Sequence, residues 1–501
     1  MHSKYIKKLL SKIKKYDNDI NTYEELSKTP ALPSIAYVNW AIHDEQKGDI
    51  EKAKEKLLSA TLMGHQTPEA YIQLGIIYTK AKEFDNAQKN FLKAIRIDNN
   101  NAKAFCFLAN IYTEKNDYKK AEKNYSHATK LSPNNETIAI NWGLSLLRQK
   151  QFKQAKEKLQ KACILNAPNF KAVYFLGLID LELDEPKEAI EKFKFITTSM
   201  PNHNEAWYYL AYSYFREKEY KKCIKCAEKS ISIFKHKIES YMLIAESYMN
   251  LDDEENCMKY YEQGKEICST NCFFYVSWGI SLQHFKKYEA SIEKENEALK
   301  IEKSSQLALT YLAYAYLKLE NFDKARELYF MLLTMNPSNA STIFRLGEVY
   351  LNSGDIDNAI SFFEKTLKMT SKIPQVYTKL GYAYYKKSNF EKANEYYKKS
   401  IEYEKENPQN YIDFATFLTE QKDYENALKK LQTALKYDDS NIEALNLCFY
   451  VNYILAKEKS SDYNREKAIQ IAEKFEKEYP DKFKYMEEKR DIETNFNHRE
   501  R

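Results

Sequence analysis

A single period, repeated along most of the sequence, constrains this chain more than any other feature. Small residues recur twelve times at the constant step that separates Ala53 from Ala87, and twelve positions before each of them stands another small residue. The later series is Ala53, Ala87, Ala121, Ala155, Ala189, Cys223, Cys257, Ser291, Ala325, Ala359, Ala393 and Ala427. The earlier series is Ala41, Gly75, Ala109, Gly143, Gly177, Ala211, Ala245, Gly279, Ala313, Gly347, Gly381 and Ala415. A period this regular indicates one supersecondary unit stacked repeatedly along the chain.

Each period predicts two helices joined by a turn. Apolar residues recur at spacings of three and four, as amphipathic helices require. Pro68 opens a first helix, where its missing N–H costs nothing, and Pro133 and Pro201 follow second helices. Gly48 and Gly354 lie near the turn between the two helices. We therefore expect a helix–turn–helix unit, with a small residue on each helix where the two backbones come close.

This unit resembles the tetratricopeptide repeat, which has the same period and carries Trp, Leu-Gly, Tyr, Ala, Phe, Ala and Pro at fixed offsets. One repeat has Trp207, Leu210-Ala211 and Tyr214. Another has Tyr71, Leu74-Gly75, Tyr78, Ala87, Phe91 and Ala94. The resemblance covers residues 34–441. It implies an all-α, right-handed superhelical solenoid of about 12–13 repeats.

The repeats set the predicted domain organisation. Residues 1–33 are a basic amphipathic N-terminal segment, residues 34–441 are twelve repeats in register, and residues 442–480 are a degenerate thirteenth repeat. Residues 481–501 are a charged C-terminal cap or tail. We expect the N-terminal helix to cap the open end of the solenoid. Weak contact of residues 4–16 with an anionic membrane is the alternative.

Charge and cysteine content bound the partners and the compartment. The 77 basic residues nearly balance the 72 acidic ones, which argues against a nucleic-acid partner. The eight cysteines show no paired framework, so we expect free thiols in the cytosol. We expect a soluble protein, since we find neither a secretory signal nor an apolar run long enough to span a membrane.

We expect no enzymatic activity and no cofactor. The segments that flank the repeats, 1–33 and 442–501, are too short for a catalytic core, and no phosphate loop, zinc helix or nucleophile elbow is present. One spacing looks metal-like: Cys223 and Cys226, followed by Cys257, Cys268 and Cys272. Cys223 and Cys257 occupy inward small-residue positions, however, where cysteine acts as a buried hydrophobe. We therefore predict no metal site.

Four polar residues depart from the pattern. Asp44 and Asp180 stand where the repeat has tyrosine or leucine. We expect a locally rotated helix that exposes these positions, and a functional carboxylate is the alternative. Ser291 and Glu295 replace apolar positions in one second helix and predict a weaker helix pair there.

In the family that the chain resembles, first helices line the concave side and partners bind there. The positions that face that side are apolar and aromatic, which predicts a partner-binding groove. Its candidate residues are Tyr174, Leu178, Tyr208, Tyr212, Phe215, Met242, Met249, Tyr314, Phe344, Tyr382 and Tyr385. The open alternative is that many of them pack between neighbouring first helices. The carboxylate clamp of chaperone-binding relatives is not supplied; Arg345 and Lys379 come nearest to it.

The sequence therefore predicts a protein-binding scaffold or adaptor whose groove holds a partner helix or an extended segment. Two alternatives stay open. One is a regulator that senses a ligand or peptide in the groove. The other is a structural subunit that associates with copies of itself. The identity of the partner is not encoded in the repeat.

Overall fold

The computed structural model describes residues 34–62, 67–267, 270–370, 372–459 and 461–494. These residues form 27 α-helices and a 3-10 helix at Pro480–Lys482, with no strand among them. The helices are α1 (Ser34–Gln46), α2 (Ile50–Leu62), α3 (Pro68–Lys80), α4 (Phe84–Ile97), α5 (Ala102–Glu114), α6 (Tyr118–Leu131), α7 (Glu136–Arg148), α8 (Phe152–Leu165), α9 (Phe170–Glu182), α10 (Pro186–Ser199), α11 (Asn204–Arg216), α12 (Tyr220–Ile233), α13 (Ile238–Asn250), α14 (Glu254–Ile267), α15 (Cys272–His284), α16 (Tyr288–Ile301), α17 (Gln306–Lys318), α18 (Phe322–Met335), α19 (Ala340–Asn352), α20 (Ile356–Met369), α21 (Gln375–Lys386), α22 (Phe390–Tyr403), α23 (Pro408–Glu420), α24 (Tyr424–Tyr437), α25 (Ile442–Lys459), α26 (Asp462–Glu478) and α27 (Met486–Thr494). The predicted all-α class is confirmed. Within these ranges no helix is both long enough and apolar enough to cross a membrane.

The chain divides into two compact units, Met1–Asp253 and Glu254–Arg501. Of the described helices, the first unit holds α1 to α13 and the second holds α14 to α27. Within each unit every helix packs against the next one along the chain. Odd-numbered helices from α1 to α25 are the first helices of the repeats, and even-numbered ones are the second helices.

The turn inside each repeat has one fixed conformation. Lys82 has φ of 61°, the left-handed region, and its N–H donates to Thr79 O at 3.0 Å. The N–H of Glu83 donates to Tyr78 O at 2.8 Å. These two bonds are those of a Schellman motif, which ends a helix sharply. The left-handed residues recur with the period of the sequence: Gly48, Lys82, Asn116, Lys150, Asp184, Lys218, Asp252, Lys286, Glu320, Gly354, Ser388 and Lys422.

The start of most first helices is fixed by a side-chain cap. The Oδ1 atom of Asn101 accepts a hydrogen bond from the N–H of Ala104 at 3.0 Å. An asparagine carboxamide in this place satisfies one of the free N–H groups of the first turn. The same bond is made by Asn135, Asn169, Asn271, Asn339 and Asn441. The first helices α1 to α23 accordingly have 12 or 13 residues each, whereas α25 has 18.

The small residues of the first helices make room for a side chain of the second helix. A Cβ atom added at Gly75 would lie 2.5 Å from Cε1 of the Phe91 ring, closer than any real contact. Phe91 is fully buried and follows Gly75 by sixteen positions. The same spacing seats Leu159 on Gly143, Phe193 on Gly177, Phe363 on Gly347 and Tyr397 on Gly381. The sequence predicted close backbones here, but what approaches the glycine is mainly a bulky side chain.

The prediction that Asp44 and Asp180 are exposed by a rotated helix is wrong. Asp44 is 6% exposed and Asp180 is fully buried. Asp180 forms ion pairs with Lys192 at 2.6 Å and Lys156 at 2.8 Å, and Asp44 pairs with Lys56. In both repeats a lysine twelve positions later, on the second helix, supplies the counter-charge that lets the carboxylate stay inside.

The last described helix covers the end of the second unit. Ile492 of α27 is fully buried and packs in one cluster with Phe449, Tyr453 and Ala472 of the preceding helix pair. The side chain of Asn446 donates to Lys482 O at 3.1 Å, so the segment after α26 is also held by hydrogen bonds. The predicted N-terminal segment 1–33 and the end of the predicted tail, 495–501, lie outside the described residues.

Candidate functional site

A cavity of about 290 Å³ opens in the second unit among α21, α23 and the start of α25. We call it the α21–α25 cavity. It is lined by Thr378, Lys379, Tyr382, Tyr385, Tyr397, Asp413, Thr416, Phe417, Glu420 and Glu443. Ligand pockets usually measure roughly 300–1,000 Å³. The volume of this cavity therefore suits one extended side chain better than a drug-sized ligand.

The repeat explains why these residues meet. The helices α21, α23 and α25 are first helices of successive repeats, and residues one period apart lie side by side on them. Lys379 and Asp413 are such a pair, and so are Gln409 and Glu443. One period before Thr378 stands Phe344, which is buried. Because threonine is much shorter than phenylalanine, the space that a ring fills in α19 is left open in α21.

Aromatic rings form one wall of the cavity. The ring centroids of Tyr385 and Phe417 lie 5.8 Å apart in an edge-on contact, and those of Tyr397 and Phe417 lie 5.3 Å apart. Tyr397 and Phe417 are buried, whereas Tyr382 is 42% exposed. The wall therefore runs from the core of the unit to its surface, and the buried rings hold the outer tyrosines in place.

Carboxylates outnumber cations in the lining. Asp413, Glu420 and Glu443 face one lysine, Lys379, which leaves two net negative charges when all four are ionised. The Nε2 atom of Gln409 donates to Asp413 at 3.0 Å and to Glu443 at 3.4 Å. Within the described residues none of the three carboxylates has a cation within ion-pairing distance. The cavity therefore lacks part of its own counter-charge.

The surroundings of Asp413 oppose its ionisation. Burial raises the pKa of this carboxyl above its usual value, and the charge of Glu443 adds to the rise. The hydrogen bond from Gln409 and the charge of Lys379 act in the other direction on the pKa. A buried carboxylate without a full counter-charge is stabilised by any cation that approaches it.

The two cations nearest to a carboxylate clamp are already engaged. The Nη1 atom of Arg345 lies 2.6 Å from Glu348 Oε2, and Lys379 Nζ lies 3.7 Å from Glu348 Oε1. The guanidinium of Arg345 also lies over the Tyr314 ring, 5.1 Å from its centroid. Both positive charges are thus directed toward α19 and its neighbours.

The predicted groove residues of the second unit separate into two groups. Tyr382 and Tyr385 line the cavity, and Tyr314 is half-buried beneath Arg345. Phe344 was predicted for the groove but is 7% exposed and lies against Phe363, with ring centroids 5.6 Å apart. This corrects the prediction for Phe344, whose ring packs in the core, as the alternative of packing between helices had it.

In the first unit the structure brings two predicted tyrosines together. The rings of Tyr208 and Tyr212 are stacked with centroids 6.5 Å apart, and Lys237 Nζ lies 4.7 Å from the Tyr208 centroid. Tyr174 reaches them through Tyr209, whose ring centroid is 5.9 Å from that of Tyr174 and 5.0 Å from that of Tyr208. Burial raises the pKa of Tyr174 and Tyr208.

The other predicted residues of the first unit are half-buried or buried. Leu178, Phe215 and Met249 are half-buried, and Phe215 lies against Tyr220 beside the turn of its repeat. Met242 is 6% exposed, so its prediction for the groove is corrected. It lies in α13, where neighbouring residues are buried on several sides of the helix.

The acidic lining was not predicted from the sequence. Asp413, Glu420 and Glu443 were missed because the predicted groove consists of apolar and aromatic positions only. A signal was present, since Arg345, Lys379 and Asp413 follow one another one period apart and so occupy one position in successive repeats. Charges at such a position become neighbours in the stack.

Among the described residues, no group of three or more His, Cys, Asp or Glu side chains could hold a metal ion. Cys223 is buried, with Ser247 Oγ at 3.2 Å from its sulfur, and burial raises the pKa of this thiol to about 12. Its surroundings are those of a packed core residue. Cys268 of the metal-like spacing lies outside the described residues.

Sequence models of known families match long parts of the chain. The model described as anaphase-promoting complex, cyclosome, subunit 3 matches residues 114–196, 193–264 and 352–434. Two models described as tetratricopeptide repeat match residues 310–375 and 68–101. No curated protein matches the sequence.

Several solved structures resemble parts of the chain. Yeast Tom70 is 15% identical, with 87% of this chain and 99% of that chain covered and a TM-score of 0.46. A chain of the APC/C hetero-tetramer Cut9–Hcn1 is 12% identical, with the same coverage and a TM-score of 0.41. Pseudomonas aeruginosa pilF is 23% identical, covering 44% of this chain and 96% of that chain with a TM-score of 0.38.

Proposed function

Because the chain belongs to the tetratricopeptide-repeat family, we propose that it is a protein-binding scaffold or adaptor that holds a partner segment against its first helices. Proteins of this family generally mediate protein–protein interactions. The proposed role is binding without catalysis. The proposed compartment is the cytosol, because eight cysteines without a paired framework are typical of a reducing compartment.

The observation that carries this proposal is the α21–α25 cavity. It opens on the first-helix side of three successive repeats, and Tyr382 stands at its exposed edge. Tyrosine supplies a large contact area and a hydrogen-bonding tip, which suits residues that anchor a partner. A cavity with preformed aromatic walls binds with little loss of side-chain freedom.

The stacked pair Tyr208 and Tyr212 in the first unit supports a second contact region. Both side chains are half-buried, so each combines a fixed position with some accessible surface. Such tyrosines suit contact with a partner segment at this unit.

The test is affinity capture from a native extract with three versions of the full chain. The groove variant is Tyr382→Ser with Tyr385→Ser. The control is Tyr403→Ser with Tyr437→Ser, since each of these tyrosines is 45% exposed but lies at the end of a second helix. We expect the wild-type chain and the control to retain the same protein, and the groove variant to lose at least about tenfold of it.

Equal capture by all three versions would place the binding surface elsewhere. Loss of the captured protein with the control variant alone would place the binding surface on the second helices. Sedimentation at several protein concentrations runs beside the capture, because a mass that rises with concentration would favour the self-associating subunit instead. A ligand-dependent rise in unfolding temperature without protein capture would favour the sensing regulator.

A further inference from the structure

We propose that the α21–α25 cavity receives a positively charged side chain, arginine or lysine, from the bound partner segment. This inference rests on the proposed binding function and specifies the chemistry of one contact within it. Three properties of the cavity support it: the charges of its lining, the rings of its wall, and its poor fit to other guests.

The charges of the lining call for a cation. Asp413, Glu420 and Glu443 bring three carboxylates to one small cavity, and none of them is ion-paired within the described part of the chain. Gln409 links two of them through its amide, at 3.0 Å to Asp413 and 3.4 Å to Glu443. That amide is neutral, so it orients the carboxylates without balancing their charge. A guanidinium or ammonium group would supply the missing charge and several hydrogen-bond donors.

The aromatic wall already accepts a cation. The Nζ atom of Lys386 lies 5.2 Å from the ring centroid of Tyr382 and 5.7 Å from that of Tyr385. Ring faces within about 6 Å of a cation attract it through their quadrupole. Lys386 itself is exposed, so a partner cation can displace it from the rings without leaving a buried charge behind.

Anionic guests fit poorly. Lys379 is the one cation of the lining, and it already lies 3.7 Å from Glu348. A carboxylate or phosphate entering the cavity would add like charge beside the half-buried Asp413 and the exposed Glu420 and Glu443, which is unfavourable. An apolar side chain would fit the rings but would leave Asp413 without a counter-charge. A cationic side chain with an aliphatic stem satisfies both walls at once.

The test is selection from a random twelve-residue peptide library displayed on phage, against the immobilised full chain. The cavity variant is Asp413→Asn with Glu443→Gln, which keeps size and shape and removes two charges. The control is Glu391→Gln with Glu406→Gln, because these two carboxylates are exposed outside the cavity and give the same change of net charge. Thermal unfolding of each version checks that it is folded.

We expect the wild-type chain and the control to enrich peptides that carry arginine or lysine at a fixed place beside apolar residues. The cavity variant should lose this preference. A selected peptide, measured by fluorescence anisotropy, should bind the cavity variant at least about tenfold more weakly. Replacing its basic residue by uncharged citrulline should weaken binding to the wild-type chain by a similar factor, and should add little further loss on the cavity variant.

Other results would contradict the inference in distinguishable ways. Peptides enriched without any basic preference, or with the same preference on the cavity variant, would overturn the inference while leaving the binding function standing. No enrichment of any peptide by the wild-type chain would contradict the proposed function, and the inference would fall with it. Enrichment of acidic peptides would overturn the charge argument directly.

Discussion

At the scale of residues, lysines of the second helices contact an aromatic ring or a carboxylate of the first helix in the same repeat. One position of the second helix holds lysine in five repeats. In four of them an aromatic ring stands sixteen positions earlier, and Nζ lies near its centroid: Lys56 on Trp40 at 4.3 Å, Lys158 on Trp142 at 4.1 Å, Lys294 on Trp278 at 3.7 Å and Lys430 on Phe414 at 5.2 Å. The fifth is Lys192, which pairs with Asp180. The lysine at this position of the second helix is thus matched in each of the five repeats by a ring or a carboxylate of the first helix.

Glu295 has no such compensation. It is fully buried, and its Oε1 atom lies against Gly279. Neither carboxyl oxygen has a hydrogen-bond partner among the residues that the structure describes. Burial raises its pKa from 4.5 to about 9. The ionisable groups near it are the phenol of Tyr311 and the thiol of Cys272. The folded protein therefore keeps a proton on Glu295 at neutral pH.

We predict that Glu295→Leu stabilises the protein increasingly as the pH rises. Between pH 4.5 and about 9 the unfolded glutamate is ionised while the folded one stays protonated. The free energy of unfolding of the wild-type chain then falls with rising pH, by up to about 1.4 kcal/mol per unit. In another repeat Leu159 of α8 occupies the same place against Gly143 of α7, so a leucine at position 295 should fit beside Gly279.

The measurement is the unfolding temperature by circular dichroism at pH 5.5, 7 and 8.5. Glu293→Leu is the control, because Glu293 is exposed on the same helix. The difference in unfolding temperature between Glu295→Leu and the wild type should grow from each pH to the next. The corresponding difference for Glu293→Leu should stay constant. A pH-independent difference would show that Glu295 is not the titrating group.

At the scale of elements, the turns carry strain that the helix pairs tolerate. The left-handed residue of each turn is glycine at only Gly48 and Gly354 among the described repeats. The other turns place lysine, asparagine, aspartate, glutamate or serine there, although that conformation costs a residue with a Cβ atom about 1 kcal/mol. The Schellman hydrogen bonds and the packing of both helices hold the turn in place.

We predict opposite effects of two substitutions in these turns. Gly354→Ala should lower the free energy of unfolding by about 1 kcal/mol, and Lys286→Gly should raise it by a similar amount. A Cβ atom at Gly354 would meet no atom within 4 Å, so the cost there is one of backbone conformation and not of collision. Urea unfolding of the two variants measures both effects. If they change stability in the same direction, the backbone argument fails.

The sequence predicts the elements well because the period fixes them. Turns and small residues recur once in each of the twelve repeats, so their positions follow from counting. The burial of Asp180 does not follow from counting, because it depends on which side chains Lys192 and Lys156 contact, and lysine at the Lys192 position lies over an aromatic ring in four other repeats. Tyr382 and Tyr385 were predicted for the site because the repeat leaves them free. The cavity beside them depends on the small size of Thr378, which is apparent only when neighbouring helices are compared.

At the scale of the whole molecule, the chain has two units although its period has no break. The small residues Cys223 and Cys257 lie on either side of residue 253 and are one period apart. Spacing alone therefore does not predict the division. In the second unit α27 covers the final helix pair, and its residue Ile492 packs with Phe449 and Tyr453. Repeat stacks need such a cover, since an uncovered end exposes apolar surface.

We predict that Ile492→Asp uncovers this end and causes self-association. A buried aspartate without a partner is costly, so α27 should detach and leave the rings of Phe449 and Tyr453 accessible. Met486→Asp is the matched control, because Met486 lies in the same helix but is 50% exposed. Sedimentation velocity should show larger species for Ile492→Asp alone. Two monodisperse monomers would mean that α27 is not needed as a cover.

The contacts between the first and second helices of one repeat affect how the number of repeats can change during evolution. The pairs Asp180–Lys192 and Trp278–Lys294 lie twelve and sixteen positions apart, each inside one repeat. A gene duplication or deletion of one whole repeat therefore carries both members of such a pair together. Gain or loss of a whole unit keeps these pairs intact, although the ion pair of Asp180 with Lys156 joins two repeats and would be broken. A single-codon change of Lys192 would take one counter-charge from the buried Asp180.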